Sequence, residues 1–257
     1  GEHSNFVSDE VIMERTQTIR GFGVEIVDRA EDMIGKIDAV MIEFQDGNLH
    51  LPYAKPFLEA GIPTFIDKPF TCSLSDAREI AKIAKENRTP LFSASSLRYA
   101  LEVQDVKNRK DLGRILGAST FSPAHIHPDN PGLFNYGIHG VETLYALMGS
   151  GCISVRCFSY DDWDLVVGKW DDGRIGVFRG LRRGSLKYGF TAFCEGGIIP
   201  IVIDPRYIYR ELLKRVLEMF KTGREPIPIE ETIEIIAFIE ASLKSAEKDS
   251  KEQKLEI

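Results

Sequence analysis

The first part of the chain alternates short apolar runs with longer amphipathic stretches. The continuous apolar runs predict buried strands at residues 24–27, 38–42, 63–66 and 90–94. Apolar residues at helical spacing predict helices at residues 8–20, 51–60 and 73–86. Ser73 and Asp76 form a capping box at the start of the last of these helices. Strands separated by helices in this rhythm predict a parallel sheet with right-handed crossovers.

The pattern changes after about residue 96, where strands follow one another with few helices between them. The predicted strands are 115–122, 153–160, 165–170, 174–180, 187–194 and 198–203. The predicted helices are 101–107, 138–148, 207–221 and 229–245. The turn sequences Asp171-Asp172-Gly173 and Glu195-Gly196-Gly197 lie between strands, as hairpins require. A mostly antiparallel open sheet is therefore expected in this part of the chain.

Together these patterns predict an α/β fold of two domains. Residues 1–95 are expected to form a Rossmann-type dinucleotide-binding domain, and residues 96–257 an α+β domain for substrate binding and oligomerisation. The closing helices, 207–221 and 229–245, are candidates for packing back on the first domain.

The phosphate-binding turn that normally opens a dinucleotide fold is missing from this sequence. That turn is a G-x-G-x-x-G between a strand and a helix, whose N–H groups hold the pyrophosphate. Gly21-Phe22-Gly23 is a lone G-x-G with a predicted strand, not a helix, behind it. The fold is expected to begin here at the helix before its third strand. Either the first unit lies outside these residues or the protein has lost it.

Composition and charge narrow the function classes. Hydrophobic residues make up 43% and charged residues 28% of the 257, as in an average globular protein. No apolar run approaches the roughly 18 residues of a membrane span, and no secretory signal is visible. The net charge of −7 disfavours nucleic acid, which repels an acidic surface. The four cysteines include no C-x-x-C pair, which indicates reduced thiols in a cytoplasmic protein.

The residues most suggestive of chemistry follow the strand predicted at 63–66. That strand ends in Asp67-Lys68-Pro69, and ligands of open parallel sheets bind outside the carboxyl ends of the strands. Pro69 cannot extend the strand and restricts the backbone of Lys68, so it fixes the direction of the ammonium group. Lys68 is therefore a candidate functional residue.

Four separated segments resemble motifs of the Gfo/Idh/MocA oxidoreductases and occur in that family's order. They are DAVMIEFQDGNLH, IDKPF, GLFNYGIHGVETLYALMG and LEMFKTGREPIPIEETIEIIAFIEASLKSAE. The resemblance spans nearly all of the chain after about Gly21. It implies an oxidoreductase that uses NAD or NADP on a sugar, a polyol or a related hydroxylated molecule.

The resemblance also implies roles for single residues. Lys68 and His139 would be catalytic. The residues placed at the cofactor would be Phe44, Gln45, His50, Asp67, Lys68 and Arg98. Two positions depart from the family pattern: Asp67 replaces the usual glutamate, and Asn135 stands where many members have an aspartate. An amide cannot take up a proton, so Asn135 cannot act as an acid or base.

Four side chains are candidates for the substrate cleft: His125, His127, Asn135 and Tyr136. His125 and His127 occupy alternate positions, which on a strand would point the same way, but no third metal ligand is evident. No metal site is therefore predicted. Glu142, one turn after His139, is a candidate for orienting the imidazole.

Oxidation of an alcohol requires that a base accept the hydroxyl proton while the nicotinamide takes the hydride. Histidine titrates near neutrality, whereas free lysine holds its proton, so we assign His139 as the base and Lys68 as the group that positions the hydroxyl. The reverse assignment remains open.

Two other functions remain open: a cofactor-binding sensor or scaffold without turnover, and a lyase or hydrolase that oxidises its substrate transiently. A homodimer or higher homo-oligomer is expected through the second sheet, because strand 165–170 carries apolar residues on both faces.

Overall fold

The computed structural model describes residues 6–257 and arranges them around two sheets. The first sheet is parallel, with strand order β1-β2-β3. Its elements in chain order are α1 (Asp9–Gly21), β1 (Val40–Ile42), α2 (His50–Glu59), β2 (Thr64–Ile66), α3 (Leu74–Asn87) and β3 (Leu91–Ser93). The predicted parallel sheet is confirmed.

The burial of its side chains shows that the first sheet lies in the interior of the protein. β2 and β3 are buried at every residue, because helices cover both of their faces. The predicted cap of α3 is present: the Asp76 N–H donates to Ser73 Oγ at 3.1 Å.

The prediction of a strand at residues 24–27 was wrong. This segment has no regular structure, and Val24 and Ile26 are exposed. A strand needs a hydrogen-bonding neighbour, and β1 pairs only with β2 in the part of the chain that the structure describes. An apolar run without such a partner remains irregular.

The second sheet has seven strands in the order β10-β5-β6-β7-β4-β8-β9. Its elements in chain order are α4 (Leu101–Asn108), β4 (Ile115–Pro123), α5 (Gly137–Met148), β5 (Cys152–Tyr160), β6 (Trp163–Trp170), β7 (Ile175–Leu181), β8 (Gly189–Cys194), β9 (Gly197–Val202), α6 (Ile208–Thr222), α7 (Ile229–Glu247) and β10 (Gln253–Lys254). Every pair is antiparallel except β4 with β7, so the prediction of a mostly antiparallel sheet is confirmed.

A close contact between α5 and the second sheet fixes where α5 lies. A Cβ atom at Gly140 would stand 2.3 Å from Cε2 of Phe178, so only glycine permits this approach. The Gly140 carbonyl accepts a hydrogen bond from Thr120 Oγ1 at 2.9 Å. Because His139 precedes Gly140, these contacts also fix the position of the imidazole.

Between them, the two long C-terminal helices pack on both sheets. α6 covers one face of the first sheet, where an apolar cluster joins the two elements: Phe65, Phe92, Ala94, Tyr99, Leu212, Val216 and Met219. α7 packs on α3 and on β5, and its Glu234 accepts the backbone N–H groups of Gly151 and Cys152 at 2.8 and 2.7 Å. The division of the chain between residues 95 and 96 stays a prediction.

Candidate active site

Three loops meet where the strands of the first sheet end. Glu43 follows β1, Asp67 and Lys68 follow β2, and Ser95 lies two residues beyond β3. Parallel strands bring their carboxyl ends to one edge, so these polar residues lie together as the sequence pattern indicates. The helix start that carries His139 faces this edge from the second domain.

Lys68 borders a space that it shares with Tyr136 and His139, which we call the cleft. Its side chain is 18% exposed, and its Nζ lies 4.0 Å from Oδ2 of Asp67 and 6.0 Å from the ring centre of Tyr136. Burial raises the pKa of Asp67, while the ammonium of Lys68 opposes that rise. The Lys68–Pro69 peptide bond is cis.

His139 stands opposite Lys68 and is almost enclosed, with 7% of its surface exposed. Burial, reinforced by the nearby positive charge of Lys68, lowers the pKa of His139 to about 3. Its ring lies 5.6 Å from the ring of Tyr136 and 5.7 Å from that of Tyr188, measured between centroids. The imidazole is therefore neutral at neutral pH and borders the same space as Lys68.

Tyrosines line this space. Burial, reinforced by the nearby Tyr136 and Tyr209, raises the pKa of Tyr188. Burial, reinforced by Asp67 and Tyr136, raises the pKa of Tyr209. The ring of Tyr136 also makes an edge contact with His125 at 5.5 Å. The Nδ2 of Asn135 donates to the carbonyl of His125 at 2.9 Å.

His50 stabilises the loop after β1. His50 is fully buried, and its two ring nitrogens each lie 3.0 Å from a carbonyl oxygen, one of Phe70 and one of Phe44. The ring of Phe44 rests on Tyr53, with centroids 4.6 Å apart. His50 thus ties the loop that carries Phe44 to the loop that follows Lys68.

The same loop is tied to the second domain by Asn130. Its Nδ2 donates to the Gln45 carbonyl at 2.6 Å, and its Oδ1 accepts the Gly47 N–H at 3.1 Å. The thiol of Cys72 donates to the same oxygen at 3.0 Å. Asn130 therefore fixes the side of the cleft that Phe44 and Gln45 form.

Arg98 lies behind the cleft in a buried ion-pair cluster. Its Nε is 2.9 Å from Oε2 of Glu142, and its Nη2 is 2.6 Å from Oε1 of Glu231. Burial raises the pKa of Glu142, and Arg98 opposes this effect. Glu142 thus pairs with Arg98, and the side chain in contact with His139 is Ser95 instead, whose Oγ lies 2.7 Å from Nδ1.

His127 contacts residues near both ends of the described chain's first half, and its place in the substrate cleft stays a prediction. Its ring stacks on Phe6 with centroids 3.6 Å apart, and its Nδ1 lies 3.9 Å from Asp129. Within residues 6–257 no group of three histidine, cysteine or acidic side chains is arranged to hold a metal ion.

The sequence did not predict several residues of the site, namely Glu43, Ser95, Asn130, Tyr188 and Tyr209. Glu43 could have been found, because it follows a buried strand just as Lys68 does. Ser95 and Tyr188 carry no local signal, since only the packing of β3 and of the segment before β8 against α5 brings them to His139.

The first part of the chain is similar to a known protein family. Residues 7–95 match the model of an oxidoreductase family with an NAD-binding Rossmann fold. This part of the chain matches the Gfo/Idh/MocA oxidoreductase family. The match supports the predicted resemblance and the class of NAD(P)-dependent oxidoreductases.

Solved structures share the fold of this chain over nearly its whole length. GenD2 from gentamicin A biosynthesis, in complex with NAD, is 16% identical, with a TM-score of 0.80 over 94% of this chain and 86% of its own. Myo-inositol 2-dehydrogenase from Lactobacillus plantarum is 16% identical, with a TM-score of 0.80 over 93% and 87%. A probable dehydrogenase from Thermotoga maritima is 19% identical, with a TM-score of 0.78 over 94% and 88%. No curated protein matches the sequence.

The residues of this oxidoreductase fit the nicotinamide end of NAD. Phe44, Gln45 and Lys68 stand at the carboxyl edge of the first sheet, where dinucleotides bind. A cavity of about 810 Å³ runs along β1 and includes Glu43, Phe44 and Tyr53 in its wall. Residues 6–257 contain no glycine-rich turn between a strand and a helix that would hold the pyrophosphate.

None of the helices in the described part of this oxidoreductase has the length and apolar character needed to cross a membrane.

Proposed function

We propose that this protein transfers a hydride between NAD(P) and a secondary alcohol carbon of a sugar, polyol or related hydroxylated molecule. The observation that carries the proposal is that Lys68 and His139 both lie close to the ring of Tyr136. NAD, when bound, would accept or return the hydride. Lys68 and His139 would contact the oxygen on the reacting carbon, which must lose or gain a proton.

The lining of the cleft supports a polyhydroxylated substrate. Tyr136, Tyr188 and Tyr209 offer ring faces and hydroxyl groups, which suit the apolar faces and hydroxyls of a sugar or cyclitol. Similar structures include a myo-inositol 2-dehydrogenase, a scyllo-inositol dehydrogenase and an aldose-aldose oxidoreductase. We carry their general substrate class, though no single substrate, over to this chain.

A spectrophotometric assay tests this function. The protein is incubated with NAD or NADP and a panel of inositols, aldoses and acyclic polyols, and formation of the reduced nicotinamide is followed by absorbance. Cofactor binding is measured separately by calorimetry. We expect turnover with at least one polyol. Tight cofactor binding without net reduction would favour transient oxidation, and no binding would favour a sensor or scaffold.

Glu43 is expected to make NAD⁺ binding depend on pH. Burial, reinforced by Asp67 and opposed by Lys68, raises the pKa of Glu43 to about 7. Above that pH the ionised carboxylate attracts the positive nicotinamide ring, so the Kd for NAD⁺ should fall by about fivefold at most as pH rises through 7. Calorimetry across this range measures the effect.

Two variants serve as controls for this pH dependence. Glu43→Gln should make the Kd for NAD⁺ independent of pH near 7. Glu59→Gln removes an exposed carboxylate on α2, which lies 3.8 Å from Lys55, and should keep the wild-type profile. An unchanged profile in Glu43→Gln would contradict the role given to Glu43.

We also propose that the protein is a cytoplasmic homo-oligomer that associates through the second sheet. Its outward face exposes large apolar side chains, among them Ile153, Ile175 and Phe193. All four cysteines are free thiols, as suits a reducing compartment. A monomeric mass in analytical ultracentrifugation would contradict the association.

A further inference from the structure

The hydroxyl of Ser95 connects the end of β3 to the imidazole of His139. Ser95 Oγ lies 2.7 Å from Nδ1 of His139, and it accepts the N–H of Leu97 at 3.2 Å. Ser95 is fully buried, so its hydrogen bonds are made with the protein. The backbone N–H of Ser95 donates to the carboxylate of Glu142. The serine is therefore held on three sides.

The hydrogen bond between Ser95 and His139 determines which ring nitrogen of His139 carries a hydrogen. The hydroxyl of Ser95 has a single hydrogen, and among residues 6–257 the acceptor within reach is Nδ1 of His139. If Nδ1 itself carried a hydrogen, the hydroxyl hydrogen would have no acceptor in a buried site, which is unfavourable. Nδ1 is therefore the acceptor, and the neutral ring carries its hydrogen on Nε2.

We propose that Ser95 is a positioning residue that holds His139 as the Nε2–H tautomer, so that His139 donates a hydrogen bond to the reacting oxygen and Lys68 carries the proton. The proposal rests on the function proposed above and assigns the roles of its two main residues. It reverses the assignment favoured from the sequence, in which His139 was the base.

The surroundings of the ring agree with this assignment. Nε2 has no hydrogen-bond partner among the described residues, while Tyr136 and Tyr188 face the ring from the cleft. The charged group that acts on His139 is Lys68, whose ammonium favours the neutral imidazole. A neutral Nε2–H can donate a hydrogen bond, but it has no free electron pair on that nitrogen to take up a proton.

In the direction of oxidation, the alcohol loses one hydride and one proton. NAD(P)⁺, when bound, would accept the hydride that leaves the alcohol carbon as its C–H bond breaks. The O–H bond breaks, its proton goes to the unprotonated amine of Lys68, and a C=O bond forms. The Nε2–H of His139 stays intact and stabilises the negative charge that develops on the oxygen. In reduction the Lys68 ammonium returns the proton.

Nuclear magnetic resonance of the histidine rings tests the tautomer directly. In ¹⁵N-labelled protein, a ring nitrogen without hydrogen resonates far downfield of one that carries hydrogen, and long-range couplings identify each nitrogen. The chain has five histidines, so the His139→Gln variant assigns the signals of His139. We expect Nδ1 to be the nitrogen without hydrogen, unchanged from about pH 5 to 8. Hydrogen on Nδ1 would overturn the proposal.

Substitutions at Ser95 add a kinetic test. Ser95→Ala should lower kcat about tenfold while the KM for the cofactor stays unchanged, and its spectrum should show a mixture of tautomers. Ser95→Thr keeps a hydroxyl and should restore one tautomer and most of the rate. Ser93→Ala removes another buried serine hydroxyl, on β3 itself, and should keep the wild-type spectrum.

The outcomes separate this inference from the proposed function. The spectrum is recorded without substrate, so the Nε2–H tautomer in a protein that shows no turnover would support the assignment of Ser95 and contradict the oxidoreductase activity. A single Nε2–H tautomer in Ser95→Ala would overturn the role of Ser95, whatever the activity. If Ser95→Thr does not fold, the wild-type spectrum still decides the position of the hydrogen.

Discussion

The Lys68→Met variant is expected to lose about 10²–10⁴-fold in kcat/KM. Methionine keeps the length of the side chain but removes the group that exchanges a proton with the substrate oxygen. The positive charge that interacts with Asp67 at 4.0 Å and faces His139 is lost as well. Steady-state kinetics on the substrate found in the polyol panel measure the effect, and calorimetry shows whether NAD still binds.

The matched control for this variant is Lys82→Met. Lys82 lies on α3, is largely exposed and interacts with Glu79 at 3.7 Å, far from the cleft by position in the fold. It should keep the wild-type kcat/KM. Full turnover by Lys68→Met, with normal thermal unfolding, would show that the reaction does not take place at this edge of the sheet.

The Arg98→Met variant is expected to lower the free energy of unfolding by about 3–5 kcal/mol. Arg98 is buried between Glu142 and Glu231, and its removal leaves both carboxylates without a cation. This is a large part of the roughly 5–15 kcal/mol that a domain has in total. Urea unfolding followed by circular dichroism measures the loss.

The pH dependence of the stability of Arg98→Met tests whether the unpaired carboxylates cause its loss of stability. Variants that also remove these carboxylates test the same cause. Burial raises the pKa of Glu142, and without Arg98 only the backbone N–H of Ser95 opposes the rise. The folded state then favours the protonated form, so the loss of stability should shrink as pH falls toward 4. Adding Glu142→Gln and Glu231→Gln should recover much of the loss at neutral pH. Arg109→Met, at an exposed ion pair with Asp111, should change little.

The sequence predicts those parts of the fold that depend on local patterns. Buried strands and amphipathic helices repeat at short range, so the predicted parallel sheet, the cap at Ser73 and the mostly antiparallel second sheet agree with the structure. Lys68 is also predictable, because a polar residue directly after a buried strand of a parallel sheet lies at the ligand edge.

The parts of the fold and of the site that the sequence does not predict depend on contacts between residues distant in sequence. Ser95 and His139 are 44 residues apart, as are Arg98 and Glu142, and no pattern along the chain indicates either pair. The strand predicted at 24–27 is wrong for a related reason, because hydrophobicity indicates that a segment can pair and does not show whether a neighbour exists.

The cover of the first sheet by α6 has a consequence for synthesis on the ribosome. Phe65 and Phe92 lie on the sheet's face and are buried by Val216 and Met219, which are translated more than a hundred residues later. While the nascent chain is still short, these phenylalanines have no native cover. Chaperones that bind exposed aromatic segments should therefore associate with ribosomes that have translated about half of this message, and release should coincide with emergence of α6.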